Sequence, residues 1–98
     1  MNIQKHFSHE EYQEFYEIIS ENKIGEHWNL GLKIYEQVCK ELSLSKEIID
    51  EHRKVFVNYI VDSQIGQLKS MNNFDECICL IEILYNVFSQ KIKGELGV

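Results

Sequence analysis

Residues 73–94, NFDECICLIEILYNVFSQKIKG, carry the reading on which the fold class rests. Phe74, Cys77, Ile78, Ile81, Leu84, Tyr85, Phe88 and Ile92 recur at intervals of three and four, the signature of an α-helix with one apolar face. Asn73 precedes the stripe, and Glu76 three residues later completes a capping box of the Asn-x-x-Glu kind. Lys91 and Lys93 suit the negative end of the helix dipole, and Gly94 is the expected residue just past the end. With no proline in the chain and no stretch of period two, this helix points to an all-α protein.

Three more helices precede it. Ser8 opens the first with a capping box to Glu11, flanked by Phe7 and Tyr12 at the staple positions; the helix is expected to run to about Asn22 and to stop at Gly25. The second spans about Glu26 to Leu42. Its stripe is Trp28, Leu32, Tyr35, Val38, Cys39 and Leu42, with Gly31 able to admit a close neighbour, while Leu30 and Ile34 fall on the far side. Ser45 caps a third helix from Lys46 to about Met71, with Leu44 and Ile49 as its staple. Its apolar face shifts, from Ile48, Ile49, Val55, Phe56, Tyr59 and Ile60 to Val57, Val61, Ile65 and Leu68. Either that helix is central and touches two sides, or it bends near Gly66. The expected fold is a compact four-helix domain over residues 1–98, an antiparallel bundle or a less regular packing, with a polar leader at 1–7 and a tail at 94–98. Its core should include Phe15, Ile19, Trp28, Tyr35, Phe56, Ile60, Ile81, Leu84 and Phe88.

Charge narrows the function classes. The net charge is −6 with a single arginine, Arg53, and the first 26 residues hold six acids and two lysines. Nucleic acid and anionic membrane surfaces are therefore poor partners, since both demand a basic footprint. No apolar run approaches the ~20 residues that span a bilayer. The three cysteines, Cys39, Cys77 and Cys79, are odd in number and lie on apolar helices, which points to reduced thiols and a cytoplasmic location.

The densest feature is a row of glutamates. Glu10, Glu14, Glu17 and Glu21 fall within roughly 60° of one another on a helix. Neighbouring carboxylates stand about 5–6 Å apart, close to phosphate spacing, so the row suits a basic protein groove; a solvated surface face is the plainer reading. No lysine alternates into it at i,i+4. A second apolar stripe, Leu80, Ile83 and Val87, leaves only Asp75, Glu82, Asn86, Ser89 and Gln90 of the last helix for water. With Leu30 and Ile34 it either meets another chain or shows that the helix is central.

Chemistry-bearing patterns are sparse. His6-x-x-His9 lacks two further ligands, neither Glu-x-x-His nor His-Glu-x-x-His occurs, and Cys77-x-Cys79 splays its thiols about 200° apart. No glycine-rich phosphate loop is present. The expectation is a protein without metal, cofactor or enzymatic activity. The leading reading is an acidic protein-binding module of the inhibitor, immunity or anti-defence type that masks a basic surface. The alternative is a helical homodimeric regulator or structural subunit that associates through apolar stripes. A helix-turn-helix DNA binder is disfavoured by the charge. In general character the composition resembles small accessory proteins of low-GC bacteria and their phages, an association with no motif behind it.

Overall fold

The computed structural model describes residues 6–98, apart from the side chains of Gln64 and Gln67. Four helices follow one another: α1 (His9–Ser20), α2 (His27–Glu41), α3 (Lys46–Tyr59) and α4 (Phe74–Leu96). Helical residues make up 84 % of those described and no strand occurs among them, which settles the class as all-α. α4 is about 34 Å long at 1.5 Å per residue, in a molecule whose longest dimension is 36 Å. α1 packs on α4, and α2 on α3 and α4.

Local hydrogen bonding explains most of the ends. Ser8 Oγ accepts from the Glu11 amide and Glu11 Oε1 accepts from the Ser8 amide, the reciprocal box expected. Phe7 stands edge-on to Tyr12 with ring centres 5.7 Å apart, closing the staple. The stops of α1 and α2 are not glycines. Asn22 and Ser43 both take positive φ, and in each case the residue's own amide and the one after it reach back to close a Schellman motif. Gly25 instead lies in a 3-10 turn, Ile24–Glu26, that feeds α2. Asn73 caps α4 as expected, but the Glu76 side chain accepts from the Asn72 amide rather than from Asn73. α4 also continues past Gly94. Lys91 pairs with Glu95 at 2.8 Å, Leu96 packs on the core, and the left-handed terminal residue is Gly97.

The third helical segment is neither straight nor simply bent. After Tyr59 the backbone widens into a π turn, Ile60–Gln64, and then tightens into a 3-10 stretch, Ile65–Ser70. In a uniform α-helix Ile65 would lie about 140° round from Ile60. The π turn, closed by the Ile65 amide on the Ile60 carbonyl, absorbs the extra residue. Ile60, Ile65 and Leu68 are consequently all buried, and this stretch reaches α1 and α4.

The core holds eight of the nine residues expected there; Trp28 is the exception, 37 % exposed. α2 is rotated from the expected face. Leu30 and Ile34 are fully buried inside this chain, as are Tyr35, Val38 and Cys39, while Trp28 turns outward. The cause is Gly31, where an added Cβ would stand 3.3 Å from Val57 Cγ1 and from Val61 Cγ2. Its missing side chain lets α3 press close, and the residues flanking that seam go inside. Val55, expected on the buried side of α3, is exposed on the other flank. Tyr35 ties the pair together by donating from its hydroxyl to the Ile49 carbonyl at 2.7 Å. Phe88 sits among the rings of Tyr35, Phe56 and Tyr59 at 5.9–6.4 Å. Full burial of such side chains contributes about 1.5–3 kcal/mol each.

Candidate functional site

The capping box at Ser8 fixes the start of α1 and so the phase of everything on it. Tyr12, Phe15, Ile18 and Ile19 are buried against the core, and Glu10, Glu14, Glu17 and Glu21 are all exposed. The row is real, but its lysine partners come from elsewhere in the fold. Lys33 of α2 reaches Glu14 at 3.1 Å and Lys23 lies 4.0 Å from Glu17. No ion pair involves Glu10 or Glu21 among the described residues. Glu17 and Glu21 also crowd the C-terminal end of α1, where the helix dipole disfavours negative charge and where no basic side chain occupies the last turn.

Beside that end the surface is concave. A groove of about 470 Å³ is lined by Gln13, Tyr16, Glu17, Ser20, Glu21 and Phe74. A second hollow of about 400 Å³ shares Tyr16 and Ser20 with it and continues over Ile19, Met71 and Lys69. Tyr16 and Phe74 stand edge-to-face at 5.9 Å, and His9 packs edge-on to the same Phe74 at 5.3 Å. The floor is therefore aromatic and one rim carries two carboxylates. Such a combination attracts a planar cation, which gains from the ring face and from the carboxylate oxygens together. Sequence reasoning put Phe74 on the apolar stripe of the last helix and missed the groove. The signal was available in Gln13, Tyr16, Glu17 and Ser20, a mixed seam at i, i+3, i+4 and i+7 between the aromatic face and the glutamates.

The remaining candidates separate. His6 lies against Tyr85 and His9 against Phe74, residues eleven apart on α4, so their rings sit at positions about 16 Å apart along one helix. No group of three potential metal ligands occurs among the described residues. His27 is 8 % exposed, and no partner for its Nε2 occurs among the described residues. All three cysteines are free thiols. Cys77 is buried and burial pushes its thiol up to about 11, so it stays protonated at neutral pH, whereas Cys79 is exposed. On α4, Leu80 is half-buried against the core, while Ile83 and Val87 are 58 % and 48 % exposed. Glu82, expected in water between them, turns inward and is 9 % exposed; Ser89 is buried as well. No helix among the described residues is long and apolar enough to cross a membrane. No protein-family model, curated protein or solved structure matches the chain.

Proposed function

We propose that the chain is a small, acidic, non-enzymatic binding module that masks a basic surface of a partner protein, in the manner of an inhibitor, immunity or anti-defence factor. The observation that carries this reading is the groove at the end of α1, an aromatic floor of Tyr16 and Phe74 rimmed by Glu17 and Glu21. Two carboxylates placed against their own helix dipole cost stability, which favours a use beyond solvation. The occupant is an arginine-bearing segment. A guanidinium lies flat on a ring while its N–H fork meets carboxylates, and the more strongly hydrated ammonium of lysine does so less well. The remainder of the row, Glu10 and Glu14, extends the same negative potential and steers encounter. Three free thiols suit a reducing, cytoplasmic setting.

The test is chemical-shift mapping with a short arginine-bearing peptide and its uncharged counterpart. Shifts should cluster at Tyr16, Glu17, Ser20, Glu21 and Phe74, and should weaken as salt rises. Reversing Glu14 and Glu17 together to lysine should abolish them with the fold intact, because exposed charges of this kind contribute only ~0–1 kcal/mol each. A charge-reversed protein that still gives the parental map removes the acidic face from the proposal. A second reading rests on Ile83 and Val87, exposed one turn apart on α4 beside Leu80. In it a second copy covers that stripe and the protein works as a homodimeric regulator.

A further inference from the structure

A polar cluster lies away from the groove, where the segment before α1 meets α4. The His6 ring stacks on Tyr85 with centres 3.7 Å apart and planes 18° from parallel. Its Nδ1 stands 2.6 Å from Glu82 Oε1, and its Nε2 stands 3.3 Å from Glu41 Oε1. The other oxygens take hydroxyl donors: Tyr12 donates to Glu82 Oε2, and Tyr85 donates to Glu41 Oε2 at 2.5 Å. Phe7, the next residue, stands edge-on to Tyr12, Phe15 and Tyr85. The groups facing the ring are thus Glu82 and Tyr85 from α4 and Glu41 from α2, with Tyr12 of α1 behind Glu82. No lysine or arginine pairs with either carboxylate among the described residues.

Proton counting gives this arrangement a direction. An ionised carboxylate only accepts hydrogen bonds, and so does a ring nitrogen without its hydrogen. With both carboxylates ionised, Nδ1 must carry hydrogen for its bond to Glu82, and a second hydrogen on Nε2 turns the 3.3 Å approach to Glu41 into an ion pair. A neutral ring beside a protonated Glu82 holds the same number of protons, so the count belongs to the cluster and not to one residue. Removing that proton sets a ring lone pair against a carboxylate oxygen and leaves the buried Glu82 charge without a cation among the described residues. Burial and the bond to Glu41 push the Tyr85 phenol well above its ordinary range, so it remains a donor throughout.

We infer that residues 6 and 7 form a proton-dependent latch, in which His6, wedged between Glu82 and Glu41, holds the segment on α4 only while the cluster keeps its extra proton. Docking takes up a proton, so it is complete at lower pH and weakens as pH rises. Release frees the aromatic patch of Tyr12, Phe15 and Tyr85 that Phe7 covers. It also loosens the chain directly before Ser8, the cap of the helix that carries the glutamates.

Nuclear magnetic resonance on the full chain tests this. Cross-peaks between the His6 and Tyr85 rings, and between Phe7 and Phe15, should be present at about pH 5.5 and fall several-fold by about pH 8.5. The α4 amide signals should stay in place, which separates unlatching from unfolding. Cross-peaks of constant intensity, or a loss that coincides with loss of the α4 signals, would overturn the latch. Glu41→Gln, at an exposed side chain whose amide oxygen can still accept from Tyr85, should shift the transition to lower pH, because one of the two charges that retain the proton is gone. A transition unchanged in that variant overturns the two-carboxylate wedge.

Discussion

Tyr12→Phe is the sharpest probe of how α4 is turned. The substitution removes one oxygen from a fully buried side chain and leaves its ring contacts in place. That oxygen donates to the carboxylate of Glu82, itself 9 % exposed. Hydrogen bonds to charged groups contribute about 1.5–3 kcal/mol, and a buried acceptor left short of a donor is expensive. Glu82 keeps His6, which moderates the loss, so a cost of about 2 kcal/mol is expected. For a domain of this size that lowers the melting temperature by about 8–16 °C. Urea unfolding followed by circular dichroism supplies the free energy, with Tyr16→Phe, at a half-exposed tyrosine of the same helix, as the control. Combining Tyr12→Phe with Glu82→Gln should show a coupling of about 1 kcal/mol or more. A Tyr12→Phe protein within about 0.5 kcal/mol of the parent, with no coupling, would return Glu82 to solvent and refute the inward face.

Phe88→Ala should cost about 3–5 kcal/mol, since Phe88 stands among three other rings at the centre of the core; a melting curve that matches the parent's would displace it from that centre. Ile83→Glu should leave the unfolding free energy within about 0.5 kcal/mol, as suits an exposed residue, and light scattering should show loss of any dimer built on the Leu80, Ile83 and Val87 stripe. A folded parent that is monomeric at all concentrations ends the homodimer reading. Thiol labelling at neutral pH should modify Cys79 quickly and Cys77 only on unfolding, because the thiolate is the reactive form and the buried Cys77 thiol deprotonates only toward pH 11. Raising the pH toward 9 should leave Cys77 unlabelled in the folded protein; early labelling of Cys77 would show that α4 opens.

The sequence by itself determined the all-α class, four helices, their starts at Ser8, Ser45 and Asn73, and the exposed glutamate row. Those features rest on contacts within one helical turn, where a side chain meets a neighbour three or four residues away and its phase follows from the period alone. What lay between helices was decided by the tertiary structure. Gly31 was recognisable as a point of close approach, but which flank of α2 would then be buried depended on Val57 of α3 and Val61 of the π turn, so Leu30 and Ile34 went inside and Trp28 out. The π turn at Ile60–Gln64 restores the face of Ile65 through packing that no local pattern encodes. The groove needs Phe74 brought beside Tyr16 across 58 positions of chain. Glu82 reads as a solvent residue because a carboxylate alone belongs in water. It turns inward only because Tyr12 and His6, seventy and more residues earlier, deliver the donors that make its burial affordable.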